Sequence, residues 1–385
     1  LRGAELIFQT QQQEKLTMKL QHQLSNRKPR IAQCKIPVGA VARAAGIAAS
    51  LAASIAASFA LLGAAPAWAQ AGKSVELRFA TISPPKAVWT NQHERVTKAA
   101  EEESGGSVKI SVFPAGQLGN EVDTLQQVAR GRIDMGSFSA FGAALMVPEL
   151  EVLLTPFYFK DNREGDCVVD SLTPVVRELW AAKGLHFLGW GHTGEPVGAA
   201  KRPLLTPADV KGQKVGLAGS KASVNFFAAL GANSTALGAT ETAPAFQTGL
   251  IDWTFLPTTF YVAAGIGKVA PVMLRSENTD VPSMTLMNKA TYDQLNPSQQ
   301  QALSRAWARF PTAQLRKEVR DFEQMMRGAH EKGGGQIVQY TPEQREVWRK
   351  TATALWPKWI EDSGPGAPKL AEQVEAARKA CAKQG

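Results

Sequence analysis

VFPAGQLGNEVDTLQQVARGRIDMG, residues 112–136, reads as the end of one strand, a glycine turn, a helix and the start of a second strand. Val108–Phe113 alternates apolar and polar residues and stops at Pro114, which cannot donate to a sheet ladder. Asn120 is a helix cap at the head of a run that reaches Ala129, and Gly131 suits the left-handed position that closes a helix. Residues 133–138 are again short and strand-like. Upstream, Val75–Ala80 (VELRFA) alternates and runs into Ser83-Pro84-Pro85, and 89–103 carries a helical pattern that closes at Gly105-Gly106. Strand, helix, strand, helix, strand is an α/β opening, and it predicts a largely parallel sheet.

The later sequence repeats this style. Residues 184–190 (GLHFLGW) read as a buried strand. Thr206-Pro207-Ala208-Asp209 combines a cap, a proline at the first helical position and an acid two residues on, so a short helix starts there. A strand at 214–217, a helix at 222–230 ended by Gly231, a helix at 242–249 and a strand at 251–255 follow. Asn296-Pro297 opens a long helical tract to about His330, expected to kink at Pro311, and Thr341-Pro342 opens another.

The 385 residues exceed what one compact core usually holds, which favours two lobes. Of the formal charge of +9, residues 1–69 hold eight basic and two acidic side chains, leaving +3 for the rest. A balance so near neutral, with no basic stripe interleaved with aromatics, argues against nucleic acid as a partner. A basic region from Arg27 to Arg43, an alanine-rich apolar run over 44–63 and the small-x-small triplet Ala67-Trp68-Ala69 read as a signal peptide cut before Gln70. Met18 is the expected start, and the compartment implied is the periplasm.

Cys167 and Cys381 lie beyond that cut; an oxidising compartment permits their pairing, but sequence spacing does not decide it. No CxxC and no Cys/His cluster suggests a metal, and no GxSxG, HExxH or phosphate loop suggests an enzyme. Gly116 and Gly119 either turn the chain or offer amides to an anion. Glu121 and Asp123 read as a solvated first helical turn.

Residues 112–136 resemble the signature of the TRAP (tripartite) transporter periplasmic solute-binding proteins of the DctP type. Further matches follow in order: PELEVLLTPFYFKD at 148–161, KGLHFLGW at 183–190, TPADVKGQKV at 206–215 and PAFQTGLIDW at 244–253. The resemblance implies a two-lobed α/β periplasmic-binding-protein fold with an interlobe cleft and a long helix spanning both lobes. The expected lobes are 70–193 plus about 280–320, and 194–280 plus about 321–385. It further implies a small organic solute as ligand, no cofactor, a monomer, and a small and a large integral-membrane subunit as partners.

Family members usually clamp a substrate carboxylate with an arginine where this chain has Gly216. A second arginine falls near Glu195 or Pro196, and an asparagine at Leu256. Their absence makes this an atypical member and points to a flatter or more apolar ligand, with an organic acid still allowed. The expected contacts are Trp89, Phe138, Glu195, Gly216, Trp253 and Phe255, with Phe141 and Trp190 nearby. Each aromatic is equally a core candidate, Glu195 equally a solvated loop acid, and His192 equally a cap on the crossover. Two other classes are a ligand sensor that signals to a membrane receptor and an enzyme on the same fold.

Overall fold

The computed structural model describes residues 74–217, 221–275 and 280–383; the expected signal peptide lies outside them. β1 (Val75–Ala80), α1 (Val88–Glu103) and β2 (Val108–Phe113) open the first sheet. α2 (Glu121–Ala129) starts where Asn120 accepts a hydrogen bond from the Asp123 amide, and it leads to β3 (Met135–Ser139) and α3 (Ala140–Ala144). Gly116 (φ 70°) and Gly119 (φ 122°) turn the chain ahead of it, and their amides donate to Thr81 and Gly116 carbonyls. That spends the amides an anion would need.

A 3-10 segment (Pro148–Leu154), α4 (Asn162–Ser171) and α5 (Thr173–Ala181) cover this sheet before β4 (Leu185–Gly194). β5 (Pro196–Ala200), β6 (Lys214–Leu217), α6 (Lys221–Ala229), β7 (Asn233–Ala236), α7 (Thr242–Gln247), β8 (Trp253–Pro257), α8 (Thr258–Ala263) and β9 (Val272–Arg275) build a second sheet. β10 (Val281–Asn288) returns to the first. Then come α9 (Lys289–Gln294), α10 (Pro297–Ala308), α11 (Thr312–Lys332), β11 (Gln336–Gln339), α12 (Pro342–Asp362) and α13 (Ala367–Cys381).

The strand orders are β2-β1-β3-β10-β4 and β11-β9-β5-β8-β6-β7. β1 is parallel to β2 and β3, but β10 is antiparallel to both its neighbours. The first sheet is therefore mixed. β1, β2, β3 and β4 nevertheless share one direction, as a largely parallel sheet requires, and it is β10, returning from the second sheet, that runs against them. β4 ends at Gly194 and β5 begins at Pro196, so only Glu195 separates the two sheets along the chain.

The tract from 297 to 332 is broken at Pro311, not merely kinked: α10 ends at Ala308, and Pro311 is extended at ψ 140°. A residue before proline is pushed out of helical geometry, which frees α11 to set off in its own direction. α11 then packs against α1, β4, α8 and β11, elements of both sheets. Its N-terminal end is tied as well: the Gln92 amide donates to the Leu315 carbonyl at 3.1 Å, and Arg316 pairs with Asp170 at 2.8 Å.

α13 lies against α4 and the 148–154 segment, on the side of the first sheet. Cys167 and Cys381 form a disulfide there with their Cα atoms 6.0 Å apart, and Arg378 meets Glu164 at 3.2 Å between the same helices. The last helix thus departs from the expected grouping of 321–385 with the second lobe. Leu370 and Val374, both buried, supply the apolar reason. Because the disulfide closes a separation of 214 residues, Cys381→Ser is expected to remove about 2–5 kcal/mol of stability. A lower denaturant midpoint, matched by wild-type protein under reducing conditions, is the check.

Candidate functional site

Between the sheets lies a cleft of about 910 Å³, near the top of the range for small-molecule sites. Its floor is made by the strand ends of the first sheet, where alternation sorts the side chains. Ser137 and Ser139 of β3 face the cleft, while Phe138 between them is 1% exposed and packs inward. Ser283 and Thr285 of β10 join them on the same face. The opposite wall comes from the segment after β7, from Thr254, Phe255 and Leu256 of β8, and from Phe260 of α8. Trp89, Trp190, Trp307 and Phe310 close the sides.

Glu121 enters this wall. It does not lie in a solvated first turn: its carboxylate accepts from the Ser139 amide at 2.6 Å and from Ser139 Oγ at 3.0 Å. Only a glycine at 142 leaves room, since an added Cβ there would strike the Glu121 carboxyl. Burial pushes this carboxyl up to about 7, against the pull of the two Ser139 hydrogen bonds. His93, its ring tilted against Phe79 at 4.9 Å, is held down to about 4 by burial and stays neutral. Asp170 is paired with Arg316, and Glu241 accepts from the Gly238 amide. Among the described residues lining the cleft, Arg177 of α5 is the one guanidinium, exposed and without an ion pair.

Of the six expected contacts, Trp89 and Phe255 line the cleft. The other four do not. Trp253 is fully buried and packs edge-on against Phe227 (5.0 Å) and Phe255 (4.9 Å). Phe138 is core for the period-two reason given above. Gly216 is hemmed in by Leu237 and Ile251, which meet an added Cβ at 3.0–3.1 Å, so no room for a ligand opens there. Glu195 is neither a ligand contact nor a solvated loop acid; it forms a near-buried ion pair with Arg275 at 2.8 Å. His192 borders the cleft, but its Nε2 meets Asp280 at 3.1 Å, a crossover contact. Sequence reasoning passed over Ser137, Ser139 and Glu121, although strand alternation around Phe138 was a usable signal for the two serines.

The family model described as bacterial extracellular solute-binding protein, family 7 (DctP), matches residues 79–362, which include every strand of the cleft walls. The chain belongs to that family. A solute-binding protein of Verminephrobacter eiseniae is 28% identical over 221 residues, 55% of this chain and 65% of that protein. The 2,3-diketo-L-gulonate-binding periplasmic protein of Escherichia coli is 27% identical over 235 residues, 60% of this chain and 72% of that protein. The sugar acid binding protein of Advenella mimigardefordensis, solved with galactonate, superimposes with a TM-score of 0.75 at 21% identity, over 80% of this chain and 99% of that one.

In this family 7 protein the hinge between the sheets is built from buried charge. α11 presents Arg316, Arg320, Glu323 and Arg327 at helical spacing along one face. Arg320 reaches Asp166 and Asp280 at 2.8 Å each, and the Glu195 amide at the crossover donates to Glu323 at 2.9 Å. Gly194 (φ 97°) admits no side chain, because a Cβ would collide with the Glu323 carboxyl. Burial first, then the neighbouring Asp280 and Glu195, push Glu323 from an ordinary 4.5 to about 9, with Arg327 opposing.

A carboxyl raised on folding binds a proton that the unfolded chain releases. Its contribution is full below about 4.5 and is lost as pH rises through about 9. Glu323→Gln keeps the acceptor for the Glu195 amide and removes this titration. The variant is expected to melt above wild type in mild alkali, with the gap closing towards pH 5; melting curves across that range are the check.

Proposed function

We propose that this family 7 protein captures a small hydroxylated organic acid in its interlobe cleft, in the periplasm, for delivery to TRAP membrane subunits. One observation carries the reading: a solute-sized cleft lined both by hydroxyls (Ser137, Ser139, Ser283, Thr285) and by a guanidinium, Arg177, that has no ion pair among the described residues. The carboxylate goes to Arg177, since a guanidinium fork matches it. The hydroxyls go to the serine floor and to Glu121, which accepts when ionised. Sugar acids have this chemistry, and both the Escherichia coli protein and the Advenella structure are named for such ligands.

Binding, not turnover, fits these groups. Catalysis by general acid and base needs a titratable pair aimed at one reacting centre. Here His192 and Glu195, neighbours along the chain, are bound to Asp280 and Arg275 instead of aimed together into the cleft. Work is done instead by ligand that touches both walls and thereby favours the closed arrangement over the open one.

A thermal-shift screen of sugar acids, dicarboxylates, neutral polyols and aromatic acids tests the reading. A hydroxylated acid is expected to raise the melting temperature, while the matching neutral polyol leaves it unchanged. Arg177→Ala should weaken that acid by roughly tenfold to a hundredfold, the scale of a charged hydrogen bond of about 1.5–3 kcal/mol. Stabilisation by neutral polyols alone, or undiminished acid binding in Arg177→Ala, refutes the assignment.

A further inference from the structure

Beside the main cleft lies a second cavity of about 70 Å³, and Phe141 and Phe255 belong to the walls of both. The lining of this annex is mostly carbon, with Ser223 as its one hydroxyl-bearing side chain besides Tyr340. Tyr340 donates its hydroxyl to the Leu204 carbonyl at 3.0 Å, and Trp348 and Trp359 donate their indole N–H groups to Leu205 and Glu151 carbonyls at 3.1 and 3.0 Å. Each ring therefore turns its polar atom into the protein and its apolar face towards the cavity. Phe157 reinforces this: it sits at φ 58°, a left-handed backbone rare for a bulky residue, and lines the annex with the Arg345 guanidinium 5.6 Å from its ring. A water in such a space finds few polar partners, whereas hydrocarbon does well there.

The annex also straddles the hinge. Phe141 and Phe157 come from the side of the first sheet, Phe226 and Phe255 from the second, and Pro196 and Val281 from the two crossing strands. Whatever fills it touches both lobes at the pivot of closure.

We infer that the annex is a subsite for the apolar end of the solute, so that the preferred ligand is an organic acid carrying a compact branched alkyl group. The cavity is about half of the ~150 Å³ that accepts benzene in an apolar core, which selects an isopropyl-sized group over a full ring. The acid end stays in the cleft, with Phe141 and Phe255 parted around the chain between. The inference rests on the organic-acid reading of the cleft, and it explains why so many rings border a site with a polar floor.

Two measurements test it separately from that reading. Crystals of the protein under xenon pressure are expected to show xenon in the annex; an empty annex overturns the proposal whatever the cleft binds. By calorimetry, 2-hydroxy-4-methylpentanoate is compared with lactate, from which it differs only by an isopropyl group. The branched acid is expected to bind at least about tenfold more tightly, and Ser223→Leu, which fills the annex from α6, should erase that ratio. Equal affinities in wild type, or a ratio untouched by Ser223→Leu, overturn the assignment. If neither acid binds, the organic-acid reading fails, and the xenon result alone decides whether the annex is an apolar site.

Discussion

The crossover at Glu195 is the constraint on which the rest of the structure depends. A single residue separates β4 of one sheet from β5 of the other, so its amide and side chain must be satisfied inside the hinge. Glu323 takes the amide, Arg275 and Arg327 take the carboxylate, and Gly194 gives up its side chain to let Glu323 approach. A buried carboxylate left without partners would cost several kcal/mol, on the order of 3–5. The long helix that carries Glu323 and Arg327 is thereby locked to the crossover, and through Arg316 and Arg320 to α4.

That lock shapes the ligand site. α11 packs across elements of both sheets, so it ties the two walls of the cleft together. The disulfide between α4 and α13 tightens the fixed edge, because α4 also supplies Asp166 and Asp170 to the arginines of α11. Ion pairs and a covalent link thus gather at the crossover side, and hydroxyls and aromatic rings line the cleft.

The aromatic content of the cleft has a physical division too. Trp253, Phe227 and Phe226 stack edge-on into a core that stiffens the second sheet. Trp89, Trp190 and Phe255 turn at least one edge to the cavity. The same residue type packs the core at one position and borders the cleft at another: on β8, Trp253 is covered by Phe227 and Phe255, while Phe255 reaches the cavity.

The sequence by itself determined the local elements and the family. Asn120 and Thr341 cap helices because their side chains accept from amides a turn away, and Asp209 accepts from the Thr206 amide, short-range effects written in consecutive residues. Alternation in VELRFA and VKISVF likewise needed no partner to be legible. Tertiary structure alone decided which groups meet. That Glu195 is an ion pair and not a ligand contact depends on Arg275, 80 residues away, and Glu121 becomes a cleft acid only because Gly142 yields space for it. Cys167 and Cys381 were two thiols of unknown relation until α13 was laid on α4. Pairings of this kind span long stretches of chain and are set by how the two sheets pack, which no local pattern encodes.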